Sequence, residues 1–599
     1  MSQVTSRTAG PAPAAAPQPR TTPRRRPRRT LIANYGEPAI WMTGGALAIG
    51  LLMVVGLLGL VLVRGLGTLW PAPIVQVGLA DGSRLLGQIE ERERYLPQTA
   101  EIEALGPRSP AVQAALEAAG GSLERRLLRL NKPGADGENF NRWVPEYLLE
   151  PGPGSDFAAW SDAGSFPPWA LCVERYAGGR LFGVLEGFAR DGQVSAEGPE
   201  AAWRAFEQAL PEARSQRQRR LELEEYAVGR INDQLEELRL ALRRAELRHG
   251  AGSGAARLAQ QALAEGKAAS DAEMLAIRAE IETIDRAENR SALLLRGADG
   301  APLEVPLGQV VRAHAPNRLG WFGQLAVYGD RWVEFVSAEP RKGFQEGGVF
   351  PAIFGTVVMT LIMSLLVVPF GVLAALYLRE YAKQGLLVSA VRIAVNNLAG
   401  VPSIVFGVFG LGFFCYLLGK GIDGWFYPER LPNPTFGKGG LLWASATLAL
   451  LTLPVVIVAT EEALAAVPSS MREGSYACGA SKWQTIRRIV LPRALPGIMT
   501  GMVLAVARGA GEVAPLMLVG VAALAPELPF SLDFPEFGTN RSFMHLGYQI
   551  YEMGFKSPDA EASIPFVFTT TLLLIAIIVV LNVSAIRIRS RLRRRFRMA

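Results

Sequence analysis

The chain has 599 residues, of which 49% are hydrophobic and 20% are charged, and its mean hydropathy is +0.19. This average indicates apolar spanning segments joined to a sizeable water-exposed part, and the length allows more than one domain. A net charge of +7 is modest for such a length and gives no reason to expect nucleic-acid binding. Scattered cysteines and histidines without metal-ligand spacing predict no metal site, no cofactor and no disulfide framework. They are Cys172, Cys415, Cys478, His249, His314 and His545.

Residues 1–37 are rich in proline, alanine and arginine and are predicted to be a disordered basic tail, because this composition cannot bury a core. Residues 38–63 contain no charged residue. They are numerous enough to cross a hydrocarbon core of about 30 Å. No signal-peptide cleavage pattern follows them, so we predict an uncleaved first transmembrane helix.

No stretch of residues 64–346 is apolar for long enough to span a membrane, and this region is predicted to be an inserted α+β domain. Residues 74–88 predict a hairpin of two strands, with a turn at Asp81-Gly82. Apolar residues spaced three and four apart predict a helical hairpin within about residues 201–290. Residues 303–311 and 332–336 are predicted strands, and no catalytic constellation stands out in the domain.

Five further spans are predicted near residues 350–378, 393–418, 440–459, 497–523 and 564–586, which gives six with the first. The tails 1–37 and 587–599 each carry seven arginines. Positively charged flanks stay in the cytoplasm, and an even number of spans places both termini on the same side. The sequence therefore predicts a multi-pass protein of a plasma membrane, with both termini cytoplasmic and residues 64–346 outside.

Residues 461–497 form the longest predicted cytoplasmic loop between spans. Ser470–Glu473 and Ser481–Gln484 fit capping boxes, and Gly479 lies between them. The pattern predicts two short helices, of which the second ends at Pro492. Such a projecting pair of helices is typical of a segment that docks on a partner protein. The alternative is an interfacial helix that lies on anionic lipid.

This loop resembles the EAA loop of ABC importer permeases, whose pattern is E-A-A-x3-G-x9-I-x-L-P. Gly474 and Ser475 stand where the family usually has two alanines. The residues that match in register are Glu473, Gly479, Ile489, Leu491 and Pro492. The resemblance implies that the loop couples to a cytoplasmic ABC ATPase dimer. The chain has no G-x-x-x-x-G-K-[ST] phosphate loop, so we expect it to be a transporter subunit without an ATPase site and not an enzyme.

Three further segments, residues 397–407, 491–497 and 507–515, are similar to phosphate-specific ABC permeases of the PstA type. The resemblance covers about residues 345–590 and implies an ABC type I importer permease core in a bacterial inner membrane. It also implies two partners, a second, PstC-like permease subunit and an extracytoplasmic phosphate-binding protein. The insertion at 64–346 departs from the short form that is common in this family.

Arg508 and Glu512 lie four residues apart in the fifth predicted span and are expected to share a helix face. A charge at mid-membrane costs about 2.5–3.5 kcal/mol on insertion scales, so such residues face a bundle interior or a water path. The guanidinium group binds phosphate through a planar fork of donors. In phosphate permeases an arginine at this motif position is implicated in translocation, which makes Arg508 the candidate path residue and Glu512 its orienting partner. A structural ion pair is the alternative.

Ser403 follows a predicted helix break at Val401-Pro402 and either binds the anion or satisfies a carbonyl group that the proline frees. The whole sequence predicts an all-α polytopic membrane protein with six transmembrane helices, a permease core over 347–586 and an inserted α+β extracytoplasmic domain over 64–346. The predicted function is the permease subunit of an ATP-driven importer of inorganic phosphate. Two alternatives stay open: import of another oxyanion or solute, and a membrane sensor with an extracytoplasmic ligand-binding domain.

Overall fold

The computed structural model describes residues 32–103, 105–131, 139–151, 157–176, 178–341, 347–525, 528–529, 538–557 and 560–597. Most of the predicted N-terminal tail, up to residue 31, lies outside these ranges. The chain falls into two units, residues 1–60 and 61–599. The described part of the first unit belongs to one helix, Ile32–Gly67, which continues into the second unit.

Six helices of the described residues are long and apolar enough to cross a membrane, as the sequence predicts. They run over Trp41–Gly67, Phe350–Tyr381, Ser403–Phe426, Leu441–Ala465, Lys482–Gly509 and Ser563–Arg591, and we call them the first to sixth spanning helices. The last of them is part of a longer helix, Ala560–Arg597, which contains most of the predicted basic C-terminal tail.

Two of the predicted spans have the wrong boundaries. The third, predicted at 393–418, is divided into a short helix, Leu386–Leu398, and a spanning helix that begins at Ser403. Pro402 causes the division, because a proline disfavours helical backbone in the residue before it. The fifth, predicted at 497–523, runs over Lys482–Gly509 instead. Its helix passes through Pro492, since a π-helical turn at 486–490 shifts the hydrogen-bonding register just before the proline.

Small residues let the spanning helices pack closely in the second unit. Gly371 lies against Val456 of the fourth helix, and Gly501 of the fifth helix lies against Ala459. Close approach of this kind is the usual way in which membrane helices associate. Lipid tails are as apolar as the side chains, so association depends on packing rather than on the hydrophobic effect. Residues of the second, third, fourth and fifth helices share one buried apolar cluster.

The inserted domain contains two antiparallel sheets. Its strands are β1 Ile74–Gly78, β2 Arg84–Tyr95, β3 Leu123–Asn131, β4 Asn139–Pro145, β5 Gly164–Ser165, β6 Ala170–Arg175, β7 Arg180–Arg190, β8 Gln193–Glu197, β9 Ser291–Arg296, β10 Pro302–Pro306 and β11 Val310–His314. The first sheet has the order β4-β3-β2-β1-β5, and the second has the order β10-β9-β7-β6-β11 with β8 paired to β7. Short helices lie at Thr99–Glu103, Ser109–Ala118 and Trp160–Ala163.

The predicted strand hairpin at 74–88 is confirmed, with Gly82 at φ +82° in its turn. The strands predicted within 303–311 are present as β10 and the start of β11, with one 3₁₀ turn between them. The strand predicted at 332–336 is wrong, since these residues belong to the helix Trp321–Ser337. The short apolar run there fits either element, and periodicity alone cannot decide between them.

A long helical hairpin projects from the second sheet. Its helices are Pro199–Leu221, Val228–His249 and Gly254–Glu288, and a π-helical turn at 222–227 joins the first two. The apolar residues that define the predicted seams meet between the helices, where Ile231 and Ile277 are buried together. The turn of the hairpin uses Gly250 and Gly252 at positive φ, and Ser253 caps the helix that follows.

Candidate functional site

The fifth spanning helix ends in the middle of the bundle. Its last residue, Gly509, packs directly against the side chain of Met363 and lies close to Thr452. Met363 is at the centre of the helix Phe350–Leu376, and Thr452 is near the centre of the fourth spanning helix. The chain then continues through turns to the short helix Leu516–Val519. Irregular backbone at this depth is tolerated only where protein buries it or where it lines a water-filled cavity.

The structure places Arg508 and Glu512 at this break. The expectation that they share a helix face is wrong, because Glu512 lies in the turn after the helix end and its amide donates to the Gly509 carbonyl group. Their side chains nevertheless meet, with 3.6 Å between Arg508 Nε and Glu512 Oε1. The Arg508 side chain is 36% exposed and that of Glu512 is 23% exposed. This separation is longer than a charge-assisted hydrogen bond, so the pair leaves guanidinium donors available for a ligand.

A second helix break packs beside the first. Ser403 is half-buried and begins the third spanning helix directly after Pro402. One turn further on, Gly407 comes so close to Pro515 that a Cβ atom on it would lie 2.8 Å from the Pro515 Cα. The segment 510–515 that follows the break at Gly509 therefore packs against the first turns of the third spanning helix, one turn beyond the break at 399–402.

The loop that follows the fourth spanning helix contains the helix Ser469–Ala477, a turn with Gly479 at φ +80°, and the start of the fifth spanning helix. The second predicted capping box is confirmed, since Ser481 and Gln484 exchange both hydrogen bonds. The first is wrong. Pro468 precedes this helix and no side chain caps it, so Ser470 lies inside its first turn.

Two contacts tie this loop to the end of the second spanning helix. Arg472 donates to Glu380 over 2.9 Å and also to the carbonyl groups of two residues at the end of the fourth helix. The Lys482 ammonium group lies 4.8 Å from the centre of the Tyr381 ring. Within the loop, the hydroxyl groups of Ser475 and Thr485 are 2.8 Å apart. A displacement of the loop would therefore move the ends of two spanning helices with it.

The matching loop residues divide between the surface and the interior. Glu473 and Gly479 are exposed, whereas Ile489, Leu491 and Pro492 are half-buried. Ile486 and Val490, which lie outside the motif, are completely buried against the ends of the second and fourth spanning helices. Two aromatic side chains that the motif does not mark, Tyr476 and Trp483, are 43% and 52% exposed.

A separate group of titratable side chains lies in the inserted domain. The antiparallel register of β6 and β11 places His314 opposite Cys172, and Glu174 is two residues further along β6. The ligand atoms of these three buried residues lie within 4.8 Å of one another. Arg331 and Arg312 both donate to Glu174, over 2.9 Å. Because both carboxylate oxygens of Glu174 already accept from arginines, the group is part of an ion-pair network rather than a cation site.

Comparison with known proteins gives the class of the chain. Residues 367–598 match the family described as the inner membrane component of binding-protein-dependent transport systems. The chain is 43% identical over 175 residues to the phosphate transport system permease protein PstA 1 of Mycobacterium tuberculosis, which is 29% of this chain and 52% of that protein. It is 37% identical to PstA of Mycobacterium leprae, over 36% of this chain and 63% of that protein. It is 30% identical to PstA of Pasteurella multocida, over 36% of this chain and 68% of that protein.

The chain thus belongs to the family of binding-protein-dependent inner membrane transport components, and within it to the PstA type of ABC permeases. It is a multi-pass inner membrane protein. The match spans about half to two thirds of the length of these relatives. The inserted domain, residues 64–346, lies entirely outside the matched family region.

Proposed function

We propose that this chain is a transmembrane permease subunit of an ATP-driven ABC importer of inorganic phosphate. The observation that carries the proposal is the position of Arg508 at a helix break halfway along the bundle, beside the break that precedes Ser403. A planar guanidinium group at a break in a spanning helix suits a tetrahedral oxyanion, because its fork of donors matches the oxyanion oxygens. The names of the PstA relatives favour phosphate over another oxyanion or solute.

In this proposal the loop 461–497 docks on a cytoplasmic ABC ATPase dimer. The exposed side of the loop offers Glu473, Tyr476 and Trp483 for contact. Its buried side holds Ile486 and Val490 against the spanning helices. ATP binding closes the ATPase dimer, and the ion pair of Arg472 with Glu380 helps to transmit that movement to the second spanning helix. Both termini and this loop then lie in the cytoplasm, in agreement with their arginines.

A second, PstC-like permease subunit completes the path, and an extracytoplasmic binding protein delivers phosphate. Arg508 holds the anion loosely, because Glu512 offsets part of its charge and the site must also release its ligand. Alternating access then exposes the break to one side of the membrane at a time. A membrane sensor, the alternative from a different class, gains no support from the break at Arg508 or from the anchored loop.

The inserted domain has three possible roles, which are to cover the outer mouth of the permease, to guide the binding protein and to anchor envelope partners. The contacts favour the first. The helical hairpin reaches the segment between the third and fourth spanning helices, where Arg244 donates to Glu429 over 2.9 Å. The Glu429 side chain is only 9% exposed. The hairpin therefore lies over this segment, on the side of the membrane where the binding protein delivers phosphate.

Energised membrane vesicles that contain the chain and its partner subunits test the substrate. We expect uptake of labelled phosphate that depends on ATP and on the binding protein and that excess unlabelled phosphate abolishes. Sulfate and molybdate at the same excess should leave it intact. Uptake of either of these anions in place of phosphate would contradict the substrate, while leaving the permease assignment in place.

The variant Glu473→Lys tests the docking surface. It reverses a charge on the exposed side of the loop, and we expect it to abolish co-purification of the ATPase while the protein still inserts in the membrane. The matched control is Glu236→Lys on the helical hairpin, where the side chain is 59% exposed. Co-purification of the ATPase with the Glu473 variant at the level of the control would contradict the docking assignment.

A further inference from the structure

The helix Trp321–Ser337, which connects the inserted domain to the second spanning helix, is inverted in polarity. Two of its three charged residues, Arg331 and Glu334, point inward, and Arg331 is only 4% exposed. Its outward face carries Phe322, Leu325, Gly329, Val333 and Val336, which we call the connecting-helix stripe. These residues are spaced three and four apart and so share one face. A helix on a water-exposed domain surface has the opposite arrangement, with charges outside and apolar residues inside.

The stripe is strongly exposed. Phe322 is 80% exposed, Val333 67% and Leu325 42%, and the neighbouring Trp321 is 62% exposed. The helix cannot rotate to hide these side chains, because ion pairs fix its other face. Arg331 donates to Glu174 over 2.9 Å and to the Leu69 carbonyl group over 3.1 Å.

The position of the helix identifies what covers the stripe. The Tyr328 hydroxyl group donates to the carbonyl group of Leu66, one residue before the end of the first spanning helix. At the other end of the helix, the Val349 amide donates to the Phe335 carbonyl group, and the second spanning helix begins at the next residue. The connecting helix therefore lies at the level where two spanning helices leave the hydrocarbon.

The aromatic residues around the helix fit that level. The rings of Trp70 and Tyr328 are 5.3 Å apart, and Tyr328 also contacts Trp332. Trp and Tyr concentrate where hydrocarbon meets the lipid headgroups. Asp330 is exposed beside the stripe, so the helix suits the boundary between headgroups and acyl chains rather than the hydrocarbon centre.

We propose that the connecting helix lies flat in the lipid leaflet on the side of the inserted domain, with the stripe among the acyl chains. The lipid contact fixes the height of the inserted domain above the bilayer. The inference requires that the chain is inserted in a membrane, and it does not depend on which solute is transported.

Single spin labels on the full-length protein test this placement. The background variant is Cys478→Ser, because Cys478 is exposed whereas Cys172 and Cys415 are buried. Labels are attached to Leu325→Cys and Val333→Cys, with Glu236→Cys on the helical hairpin as the control. The protein is reconstituted in vesicles of phosphatidylethanolamine and phosphatidylglycerol. We expect collisions with oxygen to exceed collisions with a water-soluble nickel complex several-fold at 325 and 333, and the ratio to reverse at 236.

A ratio at 325 and 333 equal to that at 236 would show that the stripe faces water and would overturn the proposal. Protection from both reagents would overturn it as well, because it would show that another protein surface covers the stripe.

A measurement without labels compares the wild type with Trp321→Phe in lipids brominated on the acyl chains. We expect bromine to quench more of the wild-type fluorescence than of the variant's, whereas equal quenching would contradict the placement of this helix.

Discussion

The inserted domain and the spanning bundle differ in how closely their ion pairs are bonded and how far these pairs are exposed. In the domain, the side chains of Glu174 and Arg331 are 6% and 4% exposed, and Arg331 Nε lies 2.9 Å from Glu174 Oε1. In the bundle, Arg508 and Glu512 are 3.6 Å apart and are 36% and 23% exposed. A tight, dry and multiply bonded pair has no donors left for a ligand, and removal of one partner leaves the other charge buried without compensation. A loose, partly exposed pair at membrane depth keeps donors for a ligand.

Removal of Glu174 should give the largest loss of stability. Glu174→Ala leaves the buried Arg331 without the carboxylate that compensates it, and breaking a buried pair in this way costs about 3–5 kcal/mol. Thermal unfolding of the full chain in detergent measures the loss. Glu282→Ala is the matched control, because its pair with Arg286 is exposed, and it should cost less than about 0.5 kcal/mol. Equal effects of the two variants would contradict the distinction between the regions.

The bundle should be most sensitive where glycines bring elements together. A Cβ atom on Gly355 would overlap the carbonyl oxygen of Met544, whereas one on Gly412 would meet nothing within 4 Å. We expect Gly355→Ala to destabilise the bundle by about 1–3 kcal/mol through overpacking. Gly412→Ala should be neutral or slightly stabilising. The midpoint of thermal unfolding distinguishes them, and similar midpoints would show that the bundle tolerates the extra methyl group.

The His314 imidazole should make the inserted domain sensitive to acid. Burial, together with the charge of Arg331, lowers its pKa from 6.5 to about 3. Below about pH 6.5 the unfolded chain therefore binds a proton that the native domain does not bind, and stability falls as the pH falls. The loss approaches about 1.4 kcal/mol for each pH unit below that value.

Unfolding of the wild type and of His314→Leu between pH 7 and pH 5 checks this dependence. We expect a shallower pH slope in the variant. The same slope in both proteins would show that other groups cause the acid sensitivity.

The smallest effect is expected where the hairpin meets the bundle. Arg244 is half exposed, so its pair with Glu429 should couple the two by about 0.5–1 kcal/mol. A double-mutant cycle with Arg244→Glu and Glu429→Arg measures this coupling. Each single variant should loosen the hairpin, as measured by proteolysis of the helical segment, and the charge swap should restore protection. No recovery in the swap would show that the pair is incidental.

The sequence predicted best what is local. The Ser481 capping box and the turn at Gly479 depend on residues a few positions apart, and the structure contains both. The six apolar helices follow from hydropathy in the same way. The end of the fifth helix at Gly509 was missed, because apolar residues continue through 513–525 and conceal the loss of helical backbone.

What depends on tertiary contact stayed hidden. His314 and Cys172 meet only because β11 pairs with β6, and no residue spacing in the sequence predicts that pairing. The helix Trp321–Ser337 was partly misassigned as a strand, since a helix with two buried charges and an exposed apolar stripe breaks the usual pattern. Both regions lie in the insertion or at its edge, where no family motif guided the interpretation.

The most direct test of the central claim is phosphate uptake by Arg508→Gln and Arg508→Lys at membrane levels matched to the wild type. The account predicts that both variants lose uptake while their thermal unfolding stays close to that of the wild type. Glutamine removes the charge, and lysine keeps the charge without the planar fork. Normal uptake in both variants, or lost uptake with equally lost stability, would show that the pair with Glu512 is structural and would contradict the account.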